Sequence, residues 1–325
     1  MSPADAFADP LLDLGAQDPR LRGILGVDDP ARTLPPGVTA QFLDNAGEYH
    51  RRYFDTGYWS LVLAQALEAV GGPLSPRTIL DIGSGSGNSV IPLADRFPEA
   101  RIVATDVSAP LLAILRDFLE SRRDRTRFTL VCVDACRARY ARGFADLAVG
   151  AAILHHLPEP ERALAACFDA LAPGGWAVFF EPFESGNLLL KLCYQRIHER
   201  ASPEERETPG MKMLHRVVDD LQVRSRPRSD PVFAELDDKW MFTRTYFERI
   251  RREQGWGEVA THPLHVHRDG LRRQAAVHLR LGADLAPDAL PEWAWSMLDE
   301  ADAEMSDDLR AEFPQEAAIL LRKPG

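Results

Sequence analysis

Through the middle of the chain, short runs that are mostly apolar, without polar alternation, alternate with stretches whose apolar residues return to one face. The runs at 78–82, 101–105, 128–133, 145–151 and 176–180 read as strands, and the stretches at 89–96, 110–122 and 160–171 as helices. A strand with no polar alternation belongs to a parallel sheet covered on both faces, so this region predicts a doubly wound α/β sheet. Ahead of it, Tyr49, Tyr53, Trp59, Leu63, Ala66 and Leu67 recur at helical spacing within residues 39–70, and Gly71-Gly72-Pro73 ends the pattern. The first forty residues are dense in Asp, Pro and Gly, close in Leu34-Pro35-Pro36-Gly37, and read as a loosely structured arm.

Past Pro182 the rhythm is lost. Residues 183–238 carry helical patches such as Leu188-Leu189-Leu190-Lys191-Leu192 and a charged stretch at 202–209, too long for a plain connection. They predict a helical insertion over one end of the sheet. A helix at 243–254 stopped by Gly255, a strand at 257–266, and helices around 272–281 and 291–304 follow. Ala317-Ala318-Ile319-Leu320-Leu321 reads as the final strand, with 274–281 as its rival. The expected units are an arm and helical segment over 1–75, a ligand-binding core over 76–182, the insertion over 183–239, and the rest of the core with added helices over 240–325.

Composition narrows the function. The chain has 325 residues, with 38 basic against 49 acidic side chains and a net charge of −11. A polyanion meets a repulsive average field, which argues against nucleic acid. No apolar run reaches the ~20 residues that cross a bilayer, and the start lacks a signal-peptide pattern, so a cytoplasmic protein without membrane contact is expected. Cys132, Cys136, Cys167 and Cys193 form no C-x-x-C pair and are expected to be free thiols.

The strongest chemical signal is Asp81-Ile82-Gly83-Ser84-Gly85-Ser86-Gly87-Asn88, between the first strand and first helix of the sheet. Glycines there permit a tight turn and close approach of a ligand, while the helix start supplies free N–H groups. A G-x-G-x-x-G dinucleotide loop would need glycine at 88, where Asn88 stands. Glycines at every second position after an acidic residue instead resemble the first motif of class I S-adenosylmethionine-dependent methyltransferases of small-molecule type. Three further stations agree with that resemblance: Asp106 in Thr105-Asp106-Val107, Asp134 in Val133-Asp134-Ala135, and the turn Ala172-Pro173-Gly174-Gly175, whose two glycines are expected at positive φ.

The resemblance implies a mostly parallel, seven-stranded, Rossmann-like sheet and S-adenosyl-L-methionine as cofactor. It implies that Asp106, with Val107, meets the ribose hydroxyls and that Asp134, with Ala135, meets the adenine. It places the methionine end over Asp81, Gly83, Ser84, Gly85 and Gly87, with backbone oxygens near Ile82 or Ala151 for its amine. Tyr49, Tyr53 and Trp59 match the aromatic helix that often covers the cofactor in relatives, and plain core packing explains their spacing equally well.

Methyl transfer asks for alignment and exclusion of water, and an oxygen nucleophile must also lose a proton. His155 and His156, after the fourth strand, and Glu181, after the fifth, are the expected catalytic residues, with Glu184 next. The position of the His pair lacks the Asn/Asp-Pro-Pro-aromatic signature of nucleobase methyltransferases. His262, His265 and His267 lie near one strand, with no carboxylate or cysteine at ligand spacing, and no metal is expected. The stretches Asp237-Asp238-Lys239-Trp240-Met241-Phe242 and Trp293-Ala294-Trp295 resemble bacterial methyltransferases of unassigned acceptor. The expected activity is O-methylation of a small molecule such as a sugar or secondary metabolite. Methylation at carbon or nitrogen, a cofactor-binding protein without catalysis, and a nicotinamide-linked reductase are the alternatives; oligomeric state is not legible.

Overall fold

The computed structural model describes residues 3–27, 42–71, 74–264 and 267–325. Its strands are β1 (Leu11–Asp13), β2 (Ile24–Val27), β3 (Thr78–Ile82), β4 (Arg101–Asp106), β5 (Phe128–Cys132), β6 (Ala145–Ala151), β7 (Leu171–Pro182), β8 (Glu258–Pro263) and β9 (Glu316–Arg322). They form one sheet in the order β1-β2-β5-β4-β3-β6-β7-β9-β8. From β2 to β7 every neighbouring pair is parallel, while β9 runs antiparallel to both β7 and β8. All five residues of the central β3 are buried. Helices cover both of its faces, which is why its sequence shows no alternation.

One face packs α2 (Thr56–Ala69), α3 (Val90–Arg96) and α4 (Ala109–Glu120), and the other α5 (Pro160–Ala170) and α9 (Arg244–Gln254). Thr243 starts α9 by accepting the Tyr246 N–H, and Gly255 ends it at φ +80°. A separate apolar core joins α6 (Glu184–Arg200) and α8 (Pro209–Arg224) to α10 (Gly270–Ala283) and α11 (Glu292–Glu304). The short α7 (Pro203–Arg206) and α12 (Asp307–Glu312) connect these pieces. The insertion is therefore one half of a helical cap, and the chain between β8 and β9 supplies the other half. The buried Asp302 of α11 caps α10 by accepting the N–H groups of Leu271 and Arg272 at 3.0 and 3.1 Å.

Several expectations change. The sheet has nine strands among the described residues rather than seven, because residues 11–27 of the expected loose arm form an antiparallel pair that joins the sheet beside β5. Residues 28–41, with Leu34-Pro35-Pro36-Gly37, lie outside the described residues, as does His265. The helical run after them breaks at Phe54 and Asp55 into α1 (Ala46–Tyr53) and α2, with the Asp55 side chain capping α2. The final strand is β9, and its rival segment is helix α10. Gly174 has φ +78° as expected, but Gly175 does not have positive φ: a Cβ there would stand 2.9 Å from the Ala172 carbonyl oxygen, so space sets its identity.

Ile24 is fully buried beside Leu14 and Leu130 in the core under β2. Ile24→Ala should lower stability by about 2–4 kcal/mol in urea unfolding. A loss below about 0.5 kcal/mol would show that the N-terminal strands do not share the core.

Candidate active site

The ends of β3, β4, β6 and β7 open on one side of the sheet, and the crevice forms where connections leave β3 in both directions. A cavity of about 1110 Å³ lies there. That exceeds the ~300–1,000 Å³ usual for one small-molecule site and gives room for two ligands side by side.

Gly83, Gly85 and Gly87 have φ +72°, +52° and +109°. A side chain at Gly83 would stand 2.6 Å from Ile153, and one at Gly87 2.6 Å from Leu115. At Gly85 that space is open and faces the cavity, so the loop is closed on its inner side and bare on its outer side. The Asp106 carboxylate shapes the loop, accepting the Gly85 N–H at 2.8 Å and the Ser108 N–H at 2.7 Å. Burial raises its pKa, opposed by these backbone donors. Each oxygen keeps a further lone pair for a ligand hydroxyl. Asp134 accepts the Cys136 N–H at 2.9 Å, and burial raises its pKa too.

Of the expected cofactor residues, Ser84, Gly83, Gly85, Asp106, Val107, Asp134, Ala135, Ala151, Tyr49 and Tyr53 line the cavity. Asp81 and Gly87 stand behind its wall. The Asp81 carboxylate is fully buried without a hydrogen-bond partner, and burial lifts its pKa to about 6 against the nearby Ser84 and Ser89 hydroxyls. Tyr49 and Tyr53 pack with ring centroids 4.8 Å apart, and burial, then the Asp106 charge, raises the Tyr49 pKa. Asn88, where a dinucleotide loop needs glycine, holds this cover to the loop: its side chain accepts the Asp55 N–H at 2.9 Å and donates to the Tyr53 carbonyl at 3.0 Å.

The expected catalytic trio comes together, with roles the sequence did not separate. Glu181 has a fully buried side chain that accepts N–H groups from Ile153, Leu154 and His155 at 3.1, 2.7 and 3.1 Å. It also accepts from His155 Nδ1 at 2.6 Å. It lines the cavity, but with these four contacts on its two oxygens it is not free as a base. Burial opposes charge on His155, but Glu181 and Asp238 outweigh it and set its pKa above the usual value. Burial, with His155 beside it, lowers the His156 pKa to about 3.

Asp238 is the residue that sequence reasoning missed. Its Oδ1 lies 3.6 Å from His155 Nε2 and 3.3 Å from His156 Nδ1, with its side chain half exposed to the cavity. The His155 carbonyl accepts the N–H groups of Lys239 and Trp240 at 2.7 and 3.3 Å, which seats the 237–240 segment on the His pair. Glu184, at the start of α6, does not line the cavity, and neither does His262; His267 does.

The second arm of the cavity runs under the helical cap. Leu189 of α6 and Leu271, Ala276, Val277 and Leu281 of α10 give it apolar walls. His278 is held there by Tyr194 at 3.0 Å.

The family pattern described as "Methyltransferase domain" matches residues 79–175. That stretch carries the glycine loop, Asp106 and Asp134, and it agrees with the class I methyltransferase resemblance drawn from the sequence. Over 127 residues the chain is 32% identical to the demethylmenaquinone methyltransferase of Thermus thermophilus, spanning 38% of this chain and 57% of that protein. Over 97 residues it is 37% identical to the trans-aconitate 2-methyltransferase of Variovorax paradoxus, spanning 30% of this chain and 35% of that protein. Among solved structures, phosphoethanolamine N-methyltransferase 2 of Haemonchus contortus superposes with a TM-score of 0.54 at 16% identity, covering 91% of this chain and 62% of that one. This last likeness is one of fold. Among the described residues no helix is long and apolar enough to cross a membrane.

Proposed function

We propose that the protein transfers a methyl group from S-adenosylmethionine to an oxygen of a small molecule. The observation that carries this reading is the glycine loop, bare only at Gly85, with the Asp106 and Asp134 carboxylates at the neighbouring strand ends. A nucleoside fits between those acids, and the methionine end lies over the loop above the unpartnered Asp81. When bound, this cofactor supplies a methyl group on a positively charged sulfur, electrophilic toward a nucleophile in line with it.

The chain's own residues do the remaining work. Asp106 holds the ribose while bracing the loop, and Tyr49 and Tyr53 exclude water from above. The acceptor occupies the arm under the helical cap, with the insertion over 183–239 and α10 as its walls. His155, aimed by Glu181, and His156 border the acceptor oxygen and see to the loss of its proton.

Gly85→Val puts a branched side chain at φ +52° into the cradle. Calorimetry should show S-adenosylmethionine binding abolished with the fold kept. Wild-type affinity in this variant would remove the cofactor from the loop, and binding without transfer of labelled methyl to any extracted metabolite would leave a binding protein rather than an enzyme.

Asp81 gives a pH dependence. Its folded pKa of about 6 lies above the reference value of 3.8, so below that pH the group is mostly neutral, and above it the group carries a charge that burial penalises unless a cation is near. A positively charged ligand over the loop relieves this cost. Affinity should therefore rise as pH rises through about 6, by up to about tenfold per unit below it, with proton release on binding. Asp81→Asn should flatten the profile, and an unchanged slope in that variant would show that another group titrates.

Val277→Trp should fill the second arm. Cofactor affinity should stay within about twofold while kcat/KM for the acceptor falls at least about tenfold. Undiminished transfer would place the acceptor elsewhere.

A further inference from the structure

We propose that His155, His156 and Asp238 form a binding site for a first-row divalent cation at the acceptor end of the cavity. One ligand atom from each of the three lies within 4.8 Å of the other two. The measured separations, 3.6 Å from His155 Nε2 and 3.3 Å from His156 Nδ1 to Asp238 Oδ1, are close to the ~3.0–3.4 Å between neighbouring ligands of an ion held at about 2.1 Å. Two imidazoles and one carboxylate on one side of an ion leave its other positions open.

The surroundings are those of a ligand set rather than a chance cluster. A carboxylate can only accept, so His155 Nδ1 carries the proton donated to Glu181, and Nε2 is the ring nitrogen that faces Asp238 and takes the ion in place of a proton. A buried carboxylate behind a ligating imidazole is the usual outer partner of a metal-bound histidine, fixing tautomer and ring direction. Glu181 is itself fixed by three backbone N–H groups, so the ring has one orientation. Asp238 is seated against the pair by the two backbone bonds to the His155 carbonyl. His156 Nδ1 donates to the Asp237 carbonyl at 2.9 Å, a hydrogen bond that the ion would replace. Mixed nitrogen and oxygen donors suit Mn²⁺, Fe²⁺, Co²⁺ or Zn²⁺ better than Mg²⁺ or Ca²⁺.

The role of the ion rests on the methyl-transfer reading; its binding does not. An acceptor hydroxyl on an open position becomes more acidic and gives its proton to water. The oxygen lone pair then forms the new bond to the methyl carbon as the carbon–sulfur bond breaks, and the pair from that bond leaves on a neutral sulfide. The sequence expectation of no metal rests on His262, His265 and His267 alone; Asp238 is remote along the chain from the His pair, so spacing does not bring this cluster together.

The test is a Co²⁺ titration of the full chain after dialysis against EDTA and then metal-free buffer. One equivalent should bind, with the visible absorption of four- or five-coordinate Co²⁺. Asp238→Asn, at a half-exposed position that leaves the core intact, should weaken binding at least about tenfold, and Glu181→Gln, which removes no ligand, about 10–100-fold. His262→Gln, outside the site, should bind as the wild type does. No saturable binding up to about 1 mM Co²⁺, or binding indifferent to Asp238→Asn, overturns the proposal. Methyl transfer that persists in EDTA by a protein binding no Co²⁺ overturns it while the methyltransferase reading stands. Failure to bind S-adenosylmethionine would strike that reading and leave the Co²⁺ result intact.

Discussion

The site hangs on one desolvated carboxylate. Glu181 reaches from the end of β7 across to the turn after β6, where Ile153, Leu154 and His155 give it their backbone N–H groups. Buried away from water, a carboxylate can stay charged only when its lone pairs are filled, and filling them fixes the backbone that supplies the donors. The turn cannot move without leaving a charge unpaired, an outcome costing several kcal/mol. From that turn follow the direction of the His155 ring, the place of His156, and the carbonyl onto which the 237–240 segment is hydrogen-bonded. A β7 residue thus determines where Asp238, at the far end of the insertion, meets the cavity.

The opposite wall is built on the same plan with a different acid. Asp106 ends β4 and takes the N–H of Gly85, so the glycine loop is bent over a carboxylate rather than over water. Asn88 then ties the loop to α1 and α2 through Tyr53 and Asp55, and the Ser108 hydroxyl donates to the Phe42 carbonyl. The aromatic cover is consequently attached to the cradle it covers, at these points and through His50 Nδ1, 2.9 Å from the Ser86 hydroxyl. Tight attachment keeps water out of the site, while the positions left bare are those where a ligand can stand in for solvent.

How legible this was in the sequence depended on the range of the interactions. The parallel core was legible because β3 and its neighbours are buried on both faces and are apolar at most positions with no alternation. The glycine loop was legible because three positive-φ turns in a row leave few residues to choose from. β1 and β2 were hidden: they are three and four residues long, β1 is mostly exposed, and they sit among Asp, Pro and Gly that ordinarily mark a loop. Glu181 was found, but its three backbone partners were not, so it read as a free base. Asp238 was visible only as part of an unexplained motif, because what gives it chemical meaning is a pairing between the insertion and the turn after β6. Gly175 was read through φ when its constraint is the carbonyl of Ala172.

The division of the cavity follows from where rigidity is placed. The half beside the glycine loop is lined by strand ends and their turns, held by a sheet that is buried on both faces. The other half is lined by α6 and α10, whose shared core with α8 and α11 is separate from the two cores of the sheet. Cap and sheet meet through a few defined joints: the backbone bonds at His155, the pairing of Phe183 with Phe242, and the packing of Gly186 against Pro314, where no side chain fits. These joints use backbone atoms and one glycine, so they do not depend on which side chains α10 turns inward. Residues such as Val277 and Leu281 can therefore vary without disturbing the cradle or the His pair. On the function proposed above, acceptor choice belongs to the inner face of α10, and the chemistry at the methyl group belongs to the strand ends and to the turn that Glu181 holds.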